Sequence, residues 1–203
     1  MRNEKSFVII KPDGIQRSLV GTIVERFERV GLKIVALKMI IPTKDQVRKH
    51  YTVDPEWIRK VGEKSIIGYE KKGMVPPTNN PIEIGEKVLE NLTKYLSSGP
   101  VLAMVLQGVH AVGIVRKIVG GTEPLTSDVG TIRGDYVLDS YQISDTDGRP
   151  IRNLIHASGN VGEANAEIGL WFKEDEILKY RHIQDAILYD VNLDGILETD
   201  DQE

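Results

Sequence analysis

Two short apolar runs, residues 7–10 and residues 101–106, constrain this chain more than any other feature. Four to six apolar residues in a row, without polar alternation, predict strands buried on both faces. The first run passes directly into Lys11-Pro12-Asp13-Gly14, a turn in which Pro and Gly end the strand. Lys11 therefore stands at the edge of a buried strand, where a cation is costly unless it meets an anion. Val20, Ile23, Val24, Phe27 and Val30 follow at helical spacing, and Gly31 closes that helix. A second strand is expected over residues 33–41, and Thr43 caps a helix through Tyr51. Residues 52–82 have a weaker pattern, with Trp57, Val61 and Ile66 as packing candidates and a Pro- and Asn-rich loop at 73–81.

A helical pattern returns over residues 82–96, and after the second apolar run another covers 111–119, with Arg116 near its end. Residues 122–135 read as a long irregular loop, a length that usually signals function. A fourth strand is expected over 136–144 and a last helix over 174–188. No internal repeat or linker divides the chain. The reading is one domain over residues 1–189 and an acidic tail over 190–203. Asp190, Asn192, Asp194, Gly195 and Asp201 fit Ca²⁺-loop offsets, but Asp stands where Glu is usual, so the tail reading is preferred.

Composition narrows the chemistry. The chain lacks cysteine, which removes disulfides, thiolate metal sites and Cys nucleophiles. The net charge of −4 provides no general attraction to nucleic acid or to anionic membranes. An anionic ligand must then be held by a local cluster of Lys and Arg. No apolar run approaches the ~20 residues of a membrane helix, and no signal peptide precedes the first strand, so the cytoplasm is the expected location.

The chemistry is placed at residues 149–172. His156 precedes Ser158 and a helix whose N-cap is Asn160, with Glu163 three residues on. Val161, Ala164, Ile168 and Trp171 form its apolar face, and Glu167 lies at the edge of that face, able to turn back toward His156. A histidine oriented by a carboxylate suits a nucleophile or a proton-transfer catalyst. His50, His110 and His182 read as surface or structural residues, and Arg17, Arg26 and Lys33 as solvated charges.

With KPDG at 11–14, KHY at 49–51, VRKIVGGTEP at 115–124, GTIRGDY at 130–136 and NLIHAS at 153–158, the chain resembles the nucleoside diphosphate kinase family. The resemblance implies an α+β, ferredoxin-like fold, a four-stranded antiparallel sheet with helices packed on it. It implies transfer of the γ-phosphate of ATP to nucleoside diphosphates by a ping-pong mechanism, with low base specificity and Mg²⁺ as cofactor. His156 would be the phosphorylated nucleophile, with Ser158 and Glu167 as its partners. Lys11, Arg116, Thr122 and Arg133 would contact the phosphates and Asn153 the ribose. Tyr51 would shape the site beside Lys11, and Trp57 would stack on the base; Phe7 and Trp171 would belong to the core. No protein ligand set for a metal is implied. The family's oligomers imply self-association as a hexamer or a tetramer. After the histidine the family usually has Gly-Ser-Asp-Ser, whereas this chain has Ala157-Ser158-Gly159-Asn160. Two insertions are also expected, within 54–85 and 137–150. The competing readings are an RNA-binding platform, which would expose aromatics on central strands, and a nucleotide-binding homologue without catalysis.

Overall fold

The computed structural model describes residues 3–189. Its sheet has four strands, β1 (Glu4–Ile10), β2 (Lys33–Ile40), β3 (Val101–Gly108) and β4 (Ile155–Ala157), in the order β2-β3-β1-β4. Every pairing is antiparallel. Phe7, Val8, Ile9 and Ile10 are fully buried, as the unbroken apolar run requires of a central strand. Val8, Ile10, Met104 and Leu106 face a core completed by Ile23 and Phe27 of α2 (Val20–Glu28) and by Val115 and Val119 of α6 (Ala111–Val119). Phe7, Ile9, Ala103 and Val105 face a second core. There they meet Val47 of α3 (Lys44–Tyr51), Leu96 of α5 (Pro81–Leu96) and Trp171 of α9 (Val161–Trp171). The fold is of the expected ferredoxin-like α+β class. With both faces of the central strands covered, no stacking platform for bases remains on them.

Local capping chemistry sets several boundaries. Thr43 Oγ1 accepts the Gln46 N–H at 3.1 Å at the start of α3. Asn160 Oδ1 accepts the Glu163 N–H at 2.9 Å at the start of α9, and the Glu163 carboxylate reaches back to the Gly159 N–H. Between α3 and α5 stands α4 (Trp57–Lys71), packed so closely on α5 that neither crossing point admits a side chain. A Cβ at Gly62 would lie 1.8 Å from the Pro81 carbonyl oxygen, and one at Gly85 would lie 2.0 Å from that of Ile58. The two helices form a closely packed hairpin.

Three expectations need correction. The fourth strand is not residues 136–144. That segment begins in α7 (Ile132–Tyr136) and ends in α8 (Tyr141–Thr146), because the Ser140 hydroxyl caps the Ile143 N–H and starts a helix. The true fourth strand has only three residues, too few to show alternation. The expected helix over 174–188 is a 3₁₀ turn (Glu174–Glu176) followed by a separate α10 (Ile183–Tyr189). Between them the chain is drawn out along β2, where the Leu178 N–H binds the Val35 carbonyl at 2.8 Å and the Tyr180 hydroxyl binds that of Ile34. Finally, Arg17, Arg26 and Lys33 are not merely solvated: they donate to the Tyr136 carbonyl, the Asp135 carboxylate and the Tyr180 carbonyl. The Ca²⁺-loop pattern at 190–201 lies outside the described residues.

Candidate active site

His156 sits on β4 opposite Ile9 of the central strand. Its Nε2 is 2.8 Å from Oε1 of Glu167, which is 4% exposed. A carboxylate can only accept, so this contact places the proton on Nε2 and leaves the lone pair on Nδ1. The second carboxylate oxygen accepts from the Ser158 hydroxyl at 2.6 Å. Ser158 Oγ in turn accepts the Phe7 N–H at 3.1 Å, so the central strand anchors the base of the arrangement. The segment 156–167 thus brings together the three residues expected to act as a unit.

His50 is the residue that sequence reasoning missed. Its ring lies 4.4 Å from that of His156, centroid to centroid, and is 3% exposed. Burial, then the neighbouring His156, holds its pKa well below the usual histidine value. Its Nδ1 lies 3.6 Å from Glu167 Oε1, but a neutral imidazole makes no ion pair there. Instead Nδ1 accepts the Trp171 indole N–H at 3.4 Å. The available signal was its place in α3 beside Tyr51, already assigned to the site. His50, His156 and Glu167 are close enough to share a metal ion. This nitrogen-rich set suits a transition metal rather than Mg²⁺, which prefers oxygen ligands.

Lys11 closes the other side. It is 6% exposed, and its Nζ donates to Asn153 Oδ1 at 2.6 Å. The Asn153 amide donates to the Thr122 carbonyl at 2.8 Å. Burial, then the Arg133 charge, lowers the Lys11 pKa to about 7. Arg133, also buried, donates to the carbonyls of Gly120, Gly121, Asn153 and Ile155. It clamps the loop at 120–121 to the strand carrying His156, and one N–H remains uncommitted. Burial lowers its pKa to about 10, so it stays a cation at neutral pH. Arg116, at the exposed end of α6, forms no ion pair within the described residues. The Tyr51 and Trp57 rings lie 5.4 Å apart, and burial with the nearby Glu167 raises the Tyr51 phenol above its usual range.

Lys11, Tyr51, Trp57, Arg116, Thr122, Arg133, Asn153 and His156 line one cavity of about 780 Å³, with Ser158 and Glu167 beneath His156. Among the described residues, eight Lys and Arg side chains line it against one carboxylate, Asp145. Local charge thus reverses the sign of a chain that is −4 overall. Helices α4 and α8 form the outer wall. Trp57, Val61, Ser65, Gly68 and Lys72 face the cavity at intervals of three or four residues. Lys72 Nζ meets Asp145 Oδ2 at 2.5 Å, tying the end of α4 to α8 across it.

A positive cavity with a histidine at its floor fits a polyphosphate. The sequence model of the family described as nucleoside diphosphate kinase matches residues 4–57 and 82–177. This chain belongs to the nucleoside diphosphate kinase family. A nucleoside diphosphate kinase of Pyrobaculum aerophilum is 45% identical over 180 residues, 87% of this chain and 98% of that protein. The crystal structure of an NDP kinase from the same organism aligns with a TM-score of 0.84 at 44% identity, covering 87% of this chain and all of that one. A transition-state mimic of nucleoside-diphosphate kinase from Borrelia burgdorferi, with bound vanadate and ADP, aligns with a TM-score of 0.75 at 38% identity, covering 92% and 97%. The enzyme is a phosphotransferase of nucleotides, a reaction class that generally uses a divalent metal ion. Among the described residues no helix is long and apolar enough to cross a membrane.

Proposed function

We propose that the enzyme carries the γ-phosphate of ATP to nucleoside diphosphates in two displacements through His156. The observation that carries this is the 2.8 Å contact of Nε2 with Glu167, which leaves Nδ1 as the nucleophilic nitrogen on a residue lining the cavity. The Nδ1 lone pair attacks the γ-phosphorus; an N–P bond forms, the bond to the bridging oxygen breaks, and the nucleoside diphosphate leaves with that electron pair. The ring, with Nε2 still protonated, gains positive charge that Glu167 offsets. A second diphosphate attacks the phosphohistidine and restores the imidazole.

Arg116 and Lys11 face the phosphates, Arg133 adds its charge while fixing the loop, and Thr122 and Asn153 meet phosphate and ribose. Trp57 beside Tyr51 offers a stacking face without reading base edges, which supports low base specificity. Mg²⁺ carried in on the nucleotide would offset part of its phosphate charge. The lone lining carboxylate, Asp145, is paired with Lys72, so the lining suits a metal carried by the nucleotide. Parallel lines in double-reciprocal plots with ATP and GDP test the scheme; intersecting lines would contradict it.

The Lys11 pKa has two consequences. kcat/KM for ATP is expected to fall as pH rises through about 7, where the free enzyme loses this cation. The matching limb in kcat should lie higher, because bound phosphates hold the proton. For stability the sign is opposite. The folded chain binds fewer protons than the unfolded chain between about 7 and the ordinary lysine value of 10.5, so Lys11 makes stability rise with pH in that window. A kcat/KM profile that stays flat from pH 6 to 9 would refute the assignment.

Insertions within residues 54–85 and within 137–150 are read as walling the nucleotide. The family match passes over 58–81, and both segments line the cavity. Lys72→Ala should then raise the ADP dissociation rate about two- to fivefold, the range of a partly exposed pair. An unchanged rate in stopped-flow chase experiments would remove the role. Self-association as a hexamer, or a tetramer, is supported by apolar side chains exposed on edge strand β2 (Leu37 50%, Met39 57%) and near 122–135 (Val129 95%, Leu138 105%). Light scattering should return a multiple of 22.7 kDa; the mass of one chain would contradict it.

A further inference from the structure

Leu154, between Asn153 and Ile155, has φ +64°. That left-handed conformation disfavours any side chain with a Cβ and persists only where neighbours hold it. The turn after β1 holds it from both sides. The Leu154 N–H donates to Asp13 Oδ2 at 3.1 Å, and the Lys11 N–H donates to the Leu154 carbonyl at 2.7 Å. The turn fits closely: a Cβ at Gly14 would lie 2.6 Å from Ile10 Cγ2 and 3.4 Å from the Leu154 oxygen.

The other end of Asp13 is equally specific. Its Oδ1 and the Tyr95 hydroxyl are both buried, and among the described residues neither has a hydrogen-bond partner of normal geometry. The Asp13 carboxylate bears on the Tyr95 phenol, which burial and this charge together push above its usual range. Buried polar atoms rarely stay unsatisfied, so a small rotation that joins the two is favoured. The Arg152 guanidinium lies over the Tyr95 ring at 4.1 Å and backs this arrangement. Neither Asp13 nor Tyr95 lines the cavity.

We infer that Asp13, backed by Tyr95, is a positioning residue for phosphoryl transfer: it fixes the Leu154 peptide and so sets where Asn153 and His156 stand. The Asn153 side chain bridges Lys11 and the Thr122 carbonyl, and His156 is two residues beyond Leu154. Turning one peptide would move both. The inference rests on the proposed roles of His156, Lys11 and Asn153, and goes beyond them by assigning a residue that touches neither substrate nor reacting atoms.

The test compares Asp13→Ala, Asp13→Asn and Tyr95→Phe by single-turnover labelling with ATP, steady-state kinetics and thermal midpoint. Asn keeps an oxygen for the Leu154 N–H and can donate to Tyr95. Displacement of reacting groups by about 1 Å costs up to ~10²-fold in rate. Asp13→Ala should therefore lower kcat about 10- to 100-fold with label still on His156, and Asp13→Asn should stay within about threefold of the wild type. Tyr95→Phe should fall between them, and it keeps the test decisive if the alanine variant does not fold. Wild-type rates in Asp13→Ala or in Tyr95→Phe would overturn the inference, as would equal losses in the Ala and Asn variants. If the wild type itself carries no label on His156, the reading of the site falls with it; a labelled wild type with unaffected variants overturns this inference alone.

Discussion

His156→Gln should take up no phosphate from γ-labelled ATP and should lose at least about 10⁴-fold in kcat, as expected when the only covalent intermediate is removed. Nothing nearby can replace it. His50 is the closest imidazole, but it is 3% exposed and its Nδ1 accepts from the Trp171 indole. Glutamine is polar and of similar reach, so the fold should survive and nucleotide affinity should change little. Lys11, Arg116 and Arg133 reach the cavity independently of His156. Activity within tenfold of the wild type would show that the phosphate passes directly between nucleotides.

Glu167→Gln should be the next most damaging change in the site, lowering kcat by about 10²- to 10⁴-fold, as when an orienting carboxylate becomes an amide. The carboxylate accepts from both His156 Nε2 and the Ser158 hydroxyl. An amide offers one oxygen and an NH₂ group, so both contacts survive only if Ser158 turns to accept, or if the imidazole moves its proton to Nδ1 and loses its nucleophilic lone pair there. Replacing a hydrogen bond to a charged acceptor by a neutral one costs on the order of 1 kcal/mol, so a lower thermal midpoint should accompany the rate loss. The negative charge that offsets the developing imidazolium is lost as well. Stability alone does not explain such a rate loss, and measurement below both midpoints separates the effects. Unchanged single-turnover labelling in this variant would show that Glu167 has no part in orienting the nucleophile.

The sequence showed most clearly what is encoded locally. The N-cap at Asn160, the spacing from Ala164 to Trp171 and the placement of Glu167 against His156 all lie within the sixteen residues 156–171. The unbroken run from Phe7 to Ile10 likewise announced a strand covered on both faces. Pairings across the chain were not readable. His50 and His156 meet because α3 and β4 flank the same core, and the one local signal of it is the neighbouring Tyr51. Lys72 and Asp145 meet because α4 and α8, 73 residues apart at that contact, wall one cavity. The fourth strand was misplaced because three residues held by β1 show no period, whereas 136–144 carries apolar residues that its Ser140 cap turns into a helix. Arg133 was expected at the phosphates. It lines the cavity, yet most of its donors bind backbone carbonyls, a commitment that a motif does not reveal.

The most direct test is incubation of the wild-type enzyme with γ-labelled ATP and Mg²⁺ in the absence of any diphosphate, followed by mapping of the labelled peptide. Acid-labile, alkali-stable phosphate on His156, discharged on addition of GDP or CDP, is the predicted result. Label on another residue, or label on His156 that does not transfer, would contradict the account.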